Sequence, residues 1–304
     1  MHIVKTFCLS VVLLCGVILL TASGMAKAAS HTVSPSTRAN VLHAMNTETF
    51  AYAQYHAFAD EATRTHQPKL AHLWSTTGND EYKDHFTTLA GQINLVGNDT
   101  ANVKASIAAE NEAISTYKQY AKQAQAQGCT TVAPRFNEFA EDEVTHHRLF
   151  TGALNALGGQ GQVPQAPGLQ AATIHRSTAV CGGQTEKNLT DAEHSEAQAW
   201  GEYTLFAQKA AHPGLGKLYT GIAAVELQDH FANAANLSGL VGTNAANLQE
   251  SRAAEAGAIQ MYTKYAKAAE SAGDHTIAKT FRQIRGDEVM HGAAFKQAQA
   301  NLVS

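Results

Sequence analysis

The chain has 304 residues, 44% hydrophobic and 16% charged, with a net charge of -4. That length suits two ordinary domains, and the apolar content supplies a buried core, which excludes a disordered chain. A charge this close to neutral gives no reason to expect nucleic acid or an anionic membrane surface as partner.

The first thirty residues stand apart. MHIVK is a short basic start, TFCLSVVLLCGVILLTA a long apolar run, and Ala26-Lys27-Ala28 a small-residue cleavage pattern. Residues 1–28 read as a secretory signal peptide, which implies a periplasmic or secreted protein. The rival is an uncleaved membrane anchor, since the apolar run is nearly long enough to span a bilayer. Cys15 follows the bulky Leu13 and Leu14, which argues against a lipoprotein. Cleavage removes Cys8 and Cys15 and leaves Cys129 and Cys181. In an oxidising compartment these two can pair, or they can remain free thiols; the sequence leaves both open.

The rest of the chain reads as all-α. Helices are predicted over residues 38–64, then from Pro68 to about Leu95, from Asn102 to Gln127, and over 131–157. Pro68 suits a first helical turn and Gly128 a helix stop. The same punctuation returns at His212-Pro213-Gly214, Val241-Gly242-Thr243 and Gly273. Strand signals are weak. Residues 158–187 contain GGQGQVPQAPGLQ and read as a linker. The organisation expected is two four-helix bundles, at 35–157 and 188–303, with neighbouring helices mostly antiparallel.

The two copies repeat chemistry as well as punctuation. A step of 145 residues carries Glu81, Asp84, His85 and Phe86 onto Glu226, Asp229, His230 and Phe231. It also takes Glu110 to Glu255, and Glu143 with His146 to Glu288 with His291. Glu48 in ETFAYAQYHAFADEA matches Glu196 in EAQAWGEYTLFAQKA at a slightly larger step. Shared packing would preserve apolar positions, whereas shared Glu and His at helical spacing suggest two copies of a metal site. Glu143 and His146 project from one helix face, and Glu48, Glu81 and Glu110 each lie mid-helix. Four inward carboxylates balance two divalent cations; without metal they would repel one another and take up protons.

These residues resemble the ferritin-like superfamily, specifically the rubrerythrin di-iron domain. NVKASIAAENEAISTYKQYAKQAQAQG and FNEFAEDEVTHHRLF are similar to that family's third and fourth helices, and Glu48 with AYAQYHAFADEA to its first. The resemblance implies two ferritin-like four-helix bundles in one chain, each with a di-iron site; manganese can replace iron. It implies one ligand set of Glu48, Glu81, Glu110, Glu143 and His146, and a second of Glu196, Glu226, Glu255, Glu288 and His291. The family's second helix usually carries Glu-x-x-His, but here Glu81 is followed by Asp84 and His85. On an α-helix these fall about 60° and about 40° to either side of Glu81. His85 is the favoured ligand and Asp84 its neighbour or substitute, with His230 and Asp229 in the same relation.

A second departure puts Ala113 and Ala258 where rubrerythrins often carry an extra Glu, giving a plainer ferritin-type carboxylate set. No Cys-x-x-Cys occurs in these residues, so the resemblance implies an external electron donor. Its reactants would be peroxide, dioxygen or Fe(II), in oxidative-stress defence, and a homo-oligomer stays open. The rival is a non-catalytic ferritin-like metal-binding or structural stress protein. Tyr55, Tyr117, Tyr120, Tyr203, Tyr262 and Tyr265 could line the sites and donate hydrogen bonds to bound oxygen species, but most are expected to be bundle core. His147, His175 and His194 lack counterparts and are expected at the surface.

Overall fold

A computed structural model describes residues 32–303; the expected signal peptide lies outside them. The described residues from 33 to 303 belong to one compact unit. Among the described residues there is no strand, and no helix is long and apolar enough to cross a membrane.

Ser34 caps α1 (Pro35–Arg64) by accepting from the Thr37 amide, and Pro35 sits in the first turn, where no amide is needed. After a short turn, α2 (Pro68–Asp80) starts at Pro68 as expected. It runs into a π-helical turn (Glu81–Phe86) and then α3 (Thr87–Gln92). The helix therefore stops short of Leu95, and Asn94 turns the chain with φ 48°. Asn98, not Asn102, caps α4 (Asp99–Ala126), and Asn102 instead accepts from the Gly97 amide at 2.8 Å. The first copy closes with α5 (Val132–Leu157). The second copy repeats the series as α6 (Gly183–Lys209), α7 (Pro213–Val225), a π-helical turn (Glu226–Phe231) and α8 (Ala232–Ser238). It ends with α9 (Asn244–Ser271) and α10 (His275–Val303).

The apolar faces do not close copy by copy. Val41, Met45, Phe86 and Leu89 of the first copy share a core with Tyr262, Ala266, Phe281 and Ile284 of the second. Phe58 and Trp74 likewise pack in one cluster with Leu248 and Phe295. In turn Tyr117, Val132 and Phe136 meet Leu189, Ala192 and Ala234, while Val103 and Phe150 meet Phe206, Leu218 and Tyr219. One bundle is thus α1–α3 with α9 and α10; the other is α4 and α5 with α6–α8. Two four-helix bundles are present, but each takes one helix pair from each copy, unlike the expected 35–157 and 188–303. Equivalent pairs expose equivalent faces, so exchange within one chain costs little.

The bundles meet where α1 crosses α6. A Cβ added to Gly201 would lie 2.5 Å from Thr49 Cγ2, so glycine is required for that approach. His194, expected at the surface, is half-buried in this seam, stacked on Phe50 at 3.9 Å and bonded to the Asn46 side chain at 3.0 Å.

The linker is shorter than expected, ending where α6 begins at Gly183, and it is a strap rather than a free tether. Ala172 donates to the Gln228 carbonyl in the second π-helical turn at 2.7 Å, and Val180 to Leu237 at 3.0 Å. Gly239, at φ 72°, lets the strap pass so close that a Cβ there would meet Ala179 N at 2.5 Å. The end of the strap is pinned by a disulfide between Cys129 and Cys181, Cα–Cα 6.1 Å. A bridge between residues 52 apart restricts the unfolded chain. Replacing both cysteines by serine should lower unfolding free energy by about 2–4 kcal/mol, read as a lower urea midpoint. The same midpoint before and after mutation would mean that the bridge adds no stability.

Candidate metal centres

Two clusters of buried carboxylates and imidazoles lie at the bundle centres. In the first, Glu48, Glu81, His85 and Glu288 converge on one point, and Glu81, Glu255, Glu288 and His291 on another. In the second the groups are Glu143, Glu196, Glu226 with His230, and Glu110, Glu143, Glu226 with His146. Within each group the candidate ligand atoms lie within 4.8 Å of one another. Glu81 and Glu288 belong to both points of the first centre, and Glu143 and Glu226 to both points of the second. These shared carboxylates lie between the two points, with one further Glu and one His at each end.

The ligand sets therefore differ from the copy-by-copy expectation. Glu110, Glu143 and His146 do not join Glu48 and Glu81; they join Glu196, Glu226 and His230. The reason is the exchange of helix pairs, which leaves every residue type in place and changes only its source.

The π-helical turns resolve the unusual spacing of the second helix. A turn closed by i→i+5 hydrogen bonds rotates each residue through less than the about 100° of an α-helix. Glu81 and His85, four apart, come close to one line, and Asp84 swings away. His85 is buried, with Nδ1 2.8 Å from Glu81 Oε2 and 3.3 Å from Glu48 Oε2. Asp84 is exposed and joins neither group. His230 repeats this, with Nδ1 3.0 Å from Glu226 Oε2. Asp229 is buried but bonds to the Asn233 side chain at 2.7 Å, outside the ligand groups.

Two kinds of support for the ligands escaped the sequence reading. The first is tyrosine. Tyr55 donates to Glu255 and Tyr203 to Glu110, both at 2.5 Å, while Tyr262 donates to Glu48 and Tyr117 to Glu196. The clue was in the sequence, because each of these tyrosines lies seven residues after a ligand Glu on the same helix face. Tyr120 bonds to Asp191 instead. The second is aspartate. His85 Nε2 lies 3.6 Å from Asp287, His230 Nε2 3.3 Å from Asp142 and His291 Nε2 3.8 Å from Asp80. Each Asp directly precedes a bridging Glu and can orient the imidazole whose Nδ1 faces the centre. The fourth such position is Val225, so this device is lacking beside His146.

The electrostatics of both centres favour positive charge among the carboxylates. Burial, then the charge of Glu81, lifts Glu48 to about 7 and Glu255 to about 11. Burial and Glu226 lift Glu196 to about 8. Burial also acts upward on Glu81, but hydrogen bonds from His291 and His85 outweigh it and bring the group to about 2. Burial lowers His85, yet hydrogen bonds to Glu48 and Glu81 outweigh that and raise it to about 12. Burial among like charges thus makes positive charge favourable at these points. Both oxygens of Glu226, Glu81 Oε2 and His230 Nδ1 are fully buried, and the groups nearest them are the facing imidazoles and carboxylates of the same centre. A pair of divalent ions fits this donor set of four carboxylates and two imidazoles.

The centres are not equally enclosed. His291 keeps 11% of its side-chain surface, against 3% or less for His85, His146 and His230. The strap lies over the π-helical turn of the second centre, whereas Lys83 and Asp84 in the first turn are exposed.

Paired substitutions distinguish exchanged from unexchanged centres. Glu81→Ala with Glu288→Ala should empty one centre and retain about half the parent's bound metal, because both bridge one centre. Glu81→Ala with Glu143→Ala should damage both. Metal analysis giving the reverse pattern would refute the exchange.

Protonation gives a second test. Glu48 and Glu196 are raised groups, so their contribution to metal-free stability is complete below the ordinary carboxylate range and is lost as pH rises through about 7 and about 8. Metal displaces those protons. Mn(II) affinity should therefore rise with pH across that window, with protons released on loading, and the melting-temperature gap between loaded and metal-free protein should widen. Affinity independent of pH would contradict the assignment.

The family model described as Rubrerythrin matches residues 101–179 and 215–299, together more than half of the chain. Searches of curated proteins and of solved structures return no match. The match falls on both copies, and the buried Glu and His clusters fit a di-iron protein. The chain belongs to the Rubrerythrin family.

Proposed function

We propose that each composite bundle holds a pair of iron ions and that the protein is an exported oxidoreductase acting on peroxide or dioxygen. The observation that carries this reading is that two carboxylates in each centre, Glu81 with Glu288 and Glu143 with Glu226, belong to both of its ligand groups and could be shared by two ions. Bridging two ions by two carboxylates suits a reaction that moves two electrons at once. Manganese shares the preference for this donor set and is the alternative metal.

A bound iron pair supplies two electrons to peroxide or dioxygen, or itself forms from Fe(II) that is being oxidised. The chain's own residues do the rest. The four bridging Glu neutralise charge, and Glu48, Glu255, Glu110 and Glu196 close the ends. Tyr262, Tyr55, Tyr203 and Tyr117 hold these end carboxylates in fixed rotamers by hydrogen bonds, and burial keeps bulk water out. The partly exposed His291 marks the side from which a small reactant reaches the first centre. Export rests on the N-terminal run, and the Cys129–Cys181 bridge is compatible with an oxidising compartment.

Protein loaded anaerobically with Fe(II) should oxidise about two irons per hydrogen peroxide added, returning to the ferrous state when reductant is supplied. Protein that takes up no Fe(II) would eliminate this reading and favour the non-catalytic one. Ferric iron released as mineral, with no return to the ferrous state, would indicate that Fe(II) is the substrate.

A further inference from the structure

Three large oxidisable rings gather at the seam between the bundles: Tyr52 of α1, Tyr82 of the first π-helical turn and Trp200 of α6. Tyr52 and Trp200 stack with centroids 4.2 Å apart and planes 17° apart. Tyr82 lies 4.7 Å from Trp200 and 5.6 Å from Tyr52, so the three are in mutual contact. Each stands beside a ligand. Tyr82 follows Glu81, and Tyr52 is one helical turn past Glu48, both in the first centre. Trp200 is one turn past Glu196, in the second. The cluster therefore joins ligand-bearing backbone of both centres.

Aromatic packing alone would explain rings in a core. Two observations go further. The cluster is only partly a product of the duplication: Tyr52 and Trp200 are equivalent at the 148-residue step that relates Glu48 to Glu196, but the residue 145 after Tyr82 is Leu227, which an apolar seam accepts. Trp200 is only half-buried and forms part of a surface groove between α6 and α7, beside Thr204, Thr220 and Gln228. The ring contacts thus begin at solvent and end beside Glu81. No Cys-x-x-Cys electron carrier occurs in these 304 residues, so reducing electrons have to come from outside.

We propose that Trp200, Tyr52 and Tyr82 form the path along which electrons from an external one-electron donor enter the protein and pass between the two metal centres. This rests on the di-iron reading above. Two one-electron donors are oxidised, two electrons pass along the rings, and with two protons from solvent one peroxide becomes two waters. A ring that carries an electron vacancy is refilled by the donor, so no bond in the chain is made or broken.

The test compares the iron-loaded parent with Trp200→Phe and Tyr82→Phe, singly and together, since phenylalanine keeps the packing and is far harder to oxidise. Reduction of the ferric protein by reduced methyl viologen is followed in stopped flow. The double variant should be slowed by about tenfold or more, with iron content and melting temperature equal to the parent. The ferric parent, which has no ferrous electrons to give, should take an electron from the rings when given peroxide without donor and show a tyrosyl or tryptophanyl signal in rapid-freeze electron paramagnetic resonance that the double variant lacks. If the double variant does not fold, the single Trp200→Phe variant is expected to show the slowing. Variants that bind iron and are reduced at the parent's rate overturn the path alone. A parent that binds no iron overturns the di-iron reading and the path together.

Discussion

Burying four carboxylates within a few ångströms of each other is the constraint on which the rest of this molecule depends. Each bundle does it at the level where a core would ordinarily be aliphatic, and like charges so placed are strongly unfavourable without compensation. The surrounding residues answer that demand. Histidines turn Nδ1 toward the carboxylates, and three of them are supported from behind by Asp80, Asp142 or Asp287. Tyrosines donate to the four end carboxylates. The π-helical turns serve the same end, because they bring His85 and His230 inward where regular helix would leave them off the axis of Glu81 and Glu226.

Exchange of helix pairs makes each centre a joint product of the two copies. The reciprocal bonds Tyr55 to Glu255 and Tyr262 to Glu48 also fix direction, since a partner pair with ascending and descending numbers requires α1 and α9 to run antiparallel. The same logic holds for α4 and α6 through Tyr117 and Tyr203. Symmetry is approximate, and its departures are local: Val225 where an Asp would stand, Leu227 where the other copy has Tyr82, and a strap over one π-helical turn only.

Much of this was legible in the sequence for physical reasons. Helix ends carried by Pro68, Gly128 and Pro213 were readable because those residues restrict or free the backbone locally. The ligand types were readable because carboxylates repeated at mid-helix have few other uses. Which copy supplies which ligand was not readable, because duplicated sites contain the same residue at each position and only tertiary packing assigns it. The π-helical turns were hinted at by Glu-x-x-x-His in both halves, but periodicity built on 3.6 residues per turn leaves Asp84 and His85 on either side of Glu81, about 60° and about 40° away. The supporting tyrosines were readable as candidates to line the sites but not as partners of particular carboxylates, since seven-residue spacing from a ligand looks the same as an ordinary core stripe. The Cys129–Cys181 pairing depended on where the strap runs, which no local pattern encodes.

The exchange also sets an order of assembly. The ligands of the second centre run from Glu110 to His230, wholly inside the stretch from Glu48 to His291 that supplies the first. One bundle is a continuous piece of chain; the other is split, its two halves lying on either side of the first in sequence. A chain emerging from its N-terminus can complete the inner centre while the outer one still waits for α9 and α10. Loss of the last two helices would leave the inner centre whole and reduce the outer one to Glu48, Glu81 and His85. The outer, more open centre is thus the last to form and the first to be lost.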